Sequence, residues 1–257
     1  LVTPGGTASI QDAGPVVISV DLANASASRA FDLSTEAVAG KSTHQITGSP
    51  PGLDEKLYFE LIRQGWGLPM APVITDYVSS PQLENRTLQF LGIDPFAEAP
   101  FRNYLGNTNP TRTSSPVGAA PVHLLSFLTQ PGAILISEDN AARYQLKAGQ
   151  TITLEIAGVI QTVTIVGLIK PTDSLSRRAL DGIILADIAT AQELTGKVGV
   201  LDRIDLILPE DSSSTSLLEA IQALLPQSAV LQPVEARSGA VAQMTSAFRV
   251  NLTALSL

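Results

Sequence analysis

Two stretches in the second half of the chain alternate apolar and polar residues with a period of two, as a half-buried strand does. They are residues 151–157 and 161–169, and Gly158 lies between them. Two such runs around a glycine predict a β-hairpin. Shorter β-branched or apolar runs bounded by turn residues predict further strands at 43–48, 72–80, 86–93, 133–136, 183–186, 203–208 and 229–234.

Apolar residues spaced three and four apart predict helices between these strands. Ser137 and Asp187 stand where two of these helices begin, and both residue types are favoured N-caps. The order of elements is β-α-β-β, then a hairpin-rich segment, then β-α-β, which predicts an α+β fold. The predicted helices of this body are residues 53–65, 121–129, 137–144, 187–194 and 215–225.

The two ends of the chain predict longer helices. Residues 15–40 carry apolar or small side chains at helical spacing after a proline, which suits a first turn. Residues 1–14 are rich in glycine and predict a flexible leader, whether native or added. A helical stripe predicts a second terminal helix over residues 237–257, with Val241, Met244, Phe248, Leu252 and Leu255 on one face.

Composition excludes several classes of protein. The formal net charge is −8 and aromatic residues make up 5%, so neither a basic surface nor stacking platforms for nucleic acid are expected. The densest basic site is the pair Arg177–Arg178. The chain has no cysteine, which excludes disulfides and thiolate metal sites. No run approaches the roughly 20 apolar residues that cross a bilayer.

Catalytic motifs are weak. The two histidines, His44 and His123, form no H-E-x-x-H pattern, and no G-x-S-x-G elbow occurs. Gly65-Trp66-Gly67 and Gly196-Lys197 lack the other glycines of nucleotide loops and are interpreted as turns. Carboxylates pair at Asp202/Asp205, Glu138/Asp139 and Glu210/Asp211, so a hydrolase with an acid/base pair stays open as a minor alternative. We therefore predict a non-catalytic protein with no cofactor and no metal site.

Residues 94–120 form an irregular segment that is too long for an ordinary connector. Apolar side chains lie in it and beside it, and two interpretations apply to them. They belong either to the core or to an exposed surface that contacts a lipophilic ligand or a partner. The candidate contact residues are Phe96, Phe101, Tyr104, Leu124 and Phe127.

Six stretches carry family motifs in order along the chain, and none of these motifs is a catalytic signature. They are residues 21–31, 131–138, 146–154, 162–169, 203–208 and 248–257. Together they resemble the extracytoplasmic domain of ABC transporter permeases of the FtsX/MacB type. The resemblance departs from the family at residues 1–14, where the family has a membrane helix.

The resemblance implies a porter-like β-α-β sandwich subdomain, at residues 41–130 and 202–236, with a β-rich subdomain inserted at residues 131–201. The helices at 15–40 and 237–257 would be membrane-proximal. The implied partners are a cytoplasmic ABC ATPase, a second permease copy, and a periplasmic adaptor or a lipophilic or lipoprotein cargo. The implied location is the extracytoplasmic side of a bacterial inner membrane.

The expected function is mechanical: movement of membrane helices, driven by ATP, would reach the domain through the stiff terminal helices. The second hypothesis is a free-standing periplasmic binding or chaperone module with the same fold. These two differ in whether apolar stretches of about 20 residues flank this segment in the parent protein.

Overall fold

The computed structural model describes residues 41–102, 124–171 and 174–234. The predicted leader at 1–14 and the predicted terminal helices at 15–40 and 237–257 lie outside these residues. The strands are β1 His44–Gly48, β2 Leu53–Asp54, β3 Met70–Ser79, β4 Leu88–Ile93, β5 Ala133–Ser137, β6 Thr151–Ile156, β7 Val159–Ile169, β8 Ile183–Asp187, β9 Val200–Leu201, β10 Arg203–Leu206 and β11 Ala229–Pro233. The helices are α1 Glu55–Arg63, α2 Leu124–Thr129, α3 Glu138–Arg143, α4 Ser174–Asp181, α5 Ile188–Thr195 and α6 Ser213–Leu224, and Pro81–Leu83 form a 3-10 turn.

Each strand and helix predicted within the described residues has a counterpart that differs at its ends by a few residues. The two predicted N-caps are confirmed. The Ser137 hydroxyl accepts from the Asn140 amide at 3.1 Å, and the Asp187 carboxylate accepts from the Ala189 amide at 3.0 Å. Helix α4 and the two-residue strands β2 and β9 were not predicted from the sequence.

Four antiparallel strands form an open sheet in the order β11-β1-β10-β3. Helices α1 and α6 contribute Leu61 and Ile221 to the buried cluster that also contains Ile46 and Ile204 from the central strands. Two β-α-β units therefore share one sheet, which confirms the predicted α+β class.

The same strand β3 continues into a closed ring of strands. The ring runs β3-β4-β8-β5-β7-β6 and returns to β3, where Val78 and Ser79 pair with Ile156 and Glu155. The pairs β4–β8 and β5–β7 are parallel, and the other ring pairs are antiparallel. Closure of this kind removes the unpaired edges that would otherwise attract other chains.

The ring has a filled interior and a covered outer side. All six strands contribute inward-facing side chains, which are continuous with the buried cluster of the open sheet; they include Ile74, Phe90, Ile134, Leu154, Ile165 and Ile184. On the other side of β4, β5 and β8, alternate residues form a second cluster with Phe127 of α2 and Leu180 of α4. Burial on both faces explains why β5 and β8 are continuous apolar runs.

Gly92 on β4 shows how closely α5 packs onto the ring. A Cβ added at Gly92 would collide with the Cβ of Ala191 on α5. We expect Gly92→Ala to lower the free energy of unfolding by about 1–3 kcal/mol, because neither backbone can move freely. Urea denaturation measures this, with Gly182→Ala as the control, since a Cβ at Gly182 meets nothing within 4 Å. Equal effects of the two substitutions would contradict the packing argument.

Candidate contact surface and strand junction

The predicted contact residues occupy different environments. Phe96 is 69% exposed, in the turns that follow β4. Phe101 and Phe127 are each 1% exposed, and Leu124 is half-buried against the outer cluster of the ring. Tyr104 lies outside the described residues. In this conformation Phe96 is available to a partner and two of the others are core side chains; the contact role itself stays a prediction.

The beginning of the predicted irregular segment is folded into successive turns. The carbonyl of Asp94 accepts from the amides of Ala97 and Glu98 at 3.0 and 3.1 Å, and the carbonyl of Glu98 accepts from the Arg102 amide at 3.0 Å. This spacing brings Glu98 and Arg102 one helical turn apart, so their side chains meet. Residues 94–102 are therefore an ordered element.

These turns end in a buried network of charges. Arg102 contacts the carboxylate of Glu98 and, at 3.3 Å, the Oδ2 atom of Asp205 on β10. The Nε atom of Arg203 donates to the Oδ1 atom of Asp205 at 2.8 Å. Glu98, Arg102 and Asp205 are each at most 1% exposed. Burial raises the pKa of the Glu98 carboxyl, and the positive charge of Arg102 opposes that rise.

The two ends of the described sheet meet beside this network. The Val234 amide, after β11, donates to the carbonyl of Thr43, before β1, at 3.1 Å. Thr43 also binds the end of β10, because its hydroxyl accepts from the Leu208 amide at 2.8 Å. The Lys41 amide donates to the carbonyl of Phe101 at 3.0 Å. We call Thr43 and Val234 the root, since the predicted terminal helices precede the first and follow the second.

A second polar cluster lies where β3 passes from the open sheet into the ring. Pairing with β10 covers residues 70–73 of β3, and pairing with β6 begins only at Val78. In the gap, the Thr75 amide donates to Asp202 at 2.6 Å, and the Lys197 ammonium donates to the Thr75 carbonyl at 2.9 Å. Lys197 also binds Asp202 at 3.0 Å and Asp76 at 3.5 Å. This junction cluster supplies hydrogen-bond partners for the N–H and C=O groups of Thr75, which do not pair with β10 or β6.

The carboxylates considered for acid/base chemistry have separate partners. Asp202 binds Lys197 in the junction cluster, whereas Asp205 binds Arg203 in the buried network. Asp139 pairs with Arg177 at 2.9 Å. Asp211 accepts from the Ser213 hydroxyl and, at 2.8 Å, from the Ser213 amide, and these hydrogen bonds lower the pKa of its carboxyl. These four aspartates are each explained by a structural contact.

The remaining sequence candidates occupy turns and strand ends. Gly65 and Gly67 have φ of 71° and 68° in the turn after α1, and Gly196 has φ of 70° at the end of α5, as the turn interpretation predicts. His44 lies on β1 with its Nδ1 atom 3.2 Å from the Thr43 hydroxyl, and His123 is outside the described residues. Across residues 41–102, 124–171 and 174–234, no three His, Asp or Glu side chains gather as metal ligands.

Comparison with known proteins gives one strong sequence relative. An uncharacterized ABC transporter permease protein of Mycobacterium tuberculosis is 41% identical over 242 residues, which are 94% of this chain and 26% of that protein. No family model matches the chain.

Comparison with solved structures gives two likenesses of low TM-score. The periplasmic region of MacB from Actinobacillus actinomycetemcomitans has 11% identity and a TM-score of 0.47, with 79% of this chain and 93% of that chain covered. A domain assigned to a permease protein of Porphyromonas gingivalis has 14% identity and a TM-score of 0.39, with 75% and 86% covered. None of the helices in the described parts is long and apolar enough to span a membrane. Over most of its length the chain is therefore similar to one part of an ABC transporter permease protein, and it spans about a quarter of the length of that relative.

Proposed function

We propose that this chain is the extracytoplasmic domain of an ABC transporter permease, and that it carries movement of membrane helices to a surface that binds a cargo or a periplasmic partner. The proposal rests on the hydrogen bond between the two residues of the root. The predicted terminal helices would join the domain beside Thr43 and Val234, which share a hydrogen bond of 3.1 Å. Two helices that enter side by side move one end of the domain together.

Strand β3 offers a path for that movement. It has ten residues, about 30 Å of extended chain. Its Met70 end pairs with Leu206 of β10 near the root, and its Ser79 end pairs with Glu155 of the ring. The junction cluster of Thr75, Asp76, Lys197 and Asp202 fixes β3 between these two parts. A displacement at the root would therefore reach the ring through one hydrogen-bonded strand.

The subdomain division belongs to the same proposal. The sequence-based division begins the inserted β-rich part at residue 131. Strand pairing supports an earlier start, because β4 pairs with β8 and with the ring half of β3. The proposed porter-like part is then β1, α1, the first half of β3, β10, α6 and β11.

The proposed partners follow from the permease assignment. A cytoplasmic ABC ATPase would supply the movement, and a second permease copy would complete the transporter. A periplasmic adaptor or a lipophilic or lipoprotein cargo would bind the domain, with Phe96 as the exposed candidate contact. The domain would lie outside the inner membrane of a bacterium.

A single introduced cysteine tests both location and movement, because this chain has none of its own. In a full-length permease otherwise free of cysteine, Ala148→Cys places a thiol on an exposed turn. We expect a membrane-impermeant maleimide to label it in intact cells. We also expect a spin label there to report a different distance between two permease copies when a non-hydrolysable ATP analogue binds, by pulsed electron paramagnetic resonance.

The matched control is Ala133→Cys, whose side chain is fully buried on β5. It should be labelled only after denaturation. Labelling of Ala148→Cys only in permeabilised cells would refute the extracytoplasmic location. Identical distance distributions with and without the analogue would refute the transmission of movement.

A further inference from the structure

Four arginines gather on one side of the ring, in a chain whose net charge is −8. Helices α3 and α4 lie side by side there, linked by a hydrogen bond of 2.9 Å from the side-chain Nδ2 atom of Asn140 to the backbone carbonyl of Asp181. A groove of about 700 Å³ runs between them. It is lined by Asp139, Ala142, Arg143, Arg177, Arg178 and Asp181, and Arg86 reaches Asp181 from the adjoining loop.

The two carboxylates of this groove are already engaged. Asp181 receives Arg86 on one oxygen at 3.0 Å and Arg143 on the other at 2.9 Å. The Nε atom of Arg177 lies 2.9 Å from the Oδ2 atom of Asp139, as an ion pair without hydrogen-bond geometry. Four guanidinium groups thus face two carboxylates, which leaves two positive charges uncompensated. Within the described parts of the chain, Arg178 has no ion-pair partner.

The same contacts hold the arginines in place without covering them. Arg143 is 52% exposed and Arg177 is 65% exposed, although each has an anchored nitrogen. Arg86 is fixed further by the Tyr144 hydroxyl, 3.1 Å from its Nη1 atom. A guanidinium whose orientation is set by one carboxylate keeps other N–H groups for a second acceptor, and its planar fork matches phosphate oxygens.

We propose that this arginine groove binds a phosphate group through Arg143, Arg177 and Arg178. A free phosphate carries up to two negative charges, which balances the excess in the groove, and a phosphodiester headgroup carries one, which balances half of it. The group is either free phosphate or the headgroup of an anionic phospholipid, since both present negatively charged non-bridging oxygens to the guanidinium groups. This inference does not depend on the permease proposal.

The test uses the 257-residue chain with two probes, inorganic phosphate and vesicles of phosphatidylcholine with or without phosphatidylglycerol. Calorimetry and vesicle co-sedimentation at low ionic strength measure binding, because salt screens such contacts. We expect the chain to bind at least one probe, and Arg178→Gln to weaken that binding about tenfold or more. Arg63→Gln is the control: it makes the same charge change at an exposed site on α1.

The outcomes distinguish free phosphate from a lipid headgroup, and two of them would contradict the proposal. Binding of inorganic phosphate that Arg178→Gln weakens about tenfold or more assigns the groove to free phosphate, and binding of phosphatidylglycerol vesicles alone, weakened in the same way, assigns it to a headgroup. Binding of neither probe overturns the proposal. An equal loss in Arg63→Gln also overturns it, because net charge and not the groove would then be responsible. Circular dichroism establishes that the two variants are folded, as expected for exposed positions.

Discussion

Replacing Arg102 with methionine is expected to lower the free energy of unfolding by about 3–5 kcal/mol, the range for breaking a buried ion pair by removing one partner. Arg102 contacts Glu98 and Asp205, and all three side chains are buried. Without the guanidinium, Glu98 loses the cation that opposes its desolvation. Among the described residues, Asp205 would keep the ion pair with Arg203. Urea denaturation followed by circular dichroism measures the loss.

Two variants make this prediction specific. Arg63→Met removes an exposed arginine from the last turn of α1 and should change the unfolding free energy by about 0.5 kcal/mol or less. Combining Arg102→Met with Glu98→Gln removes a charge of each sign, and it should recover part of the loss, because fewer charges stay buried without a partner. If Arg102→Met were as stable as the parent chain, the network would not be holding this part of the fold.

The position of the network explains why its loss should matter for coupling as well. Arg102 ends the turns that begin after β4, and Asp205 lies on the strand that pairs with β1. The neighbouring Phe101 carbonyl binds Lys41, two residues before the root. The network therefore fastens one end of the ring to the strands that would receive movement from the terminal helices. Hydrogen-bonded ion pairs of this kind fix the relative orientation of the groups that they join, whereas apolar contact alone is not directional.

Local signals predicted the elements well, and pairing over long distances in the chain escaped them. The hairpin of β6 and β7 followed from alternation and Gly158, and the start of α3 followed from Ser137. Ring closure depends on the pairing of Val78 with Ile156. These residues are far apart in the sequence, and no local pattern predicts that they pair. Helix α4 was missed because few of its residues are apolar, although those few follow a helical period.

The same distinction applies to the functional side chains. Glu98 and Arg102 have helical spacing, which hints at a pair, but Asp205 lies 103 residues beyond Arg102. The available signal was the position of Asp205 within an apolar strand, because a buried carboxylate needs a cation or a hydrogen-bond donor as its partner. The junction cluster was equally hidden, because Lys197 binds a peptide group left open by the three-dimensional course of β3.

Phe127→Ala and Phe96→Ala are expected to separate the core interpretation from the contact interpretation. Phe127 is 1% exposed and packs among the residues on the outer side of β4, β5 and β8. Truncation of a buried phenylalanine leaves a cavity, so we expect a loss of about 3–5 kcal/mol in the free energy of unfolding. Phe96 is 69% exposed, and its truncation should change that free energy by about 0.5 kcal/mol or less.

The contact interpretation also predicts an effect of Phe96→Ala on binding. If Phe96 contacts a partner, Phe96→Ala should weaken that complex by at least about 1 kcal/mol, or roughly fivefold, while the fold stays intact. Candidate lipids and periplasmic proteins are screened against the parent chain first, and the variant is then measured against those that bind. Unchanged affinity would remove Phe96 from the contact surface. An unchanged stability of Phe127→Ala would mean that α2 is not part of the core, and the outer side of the ring would then be open to a ligand.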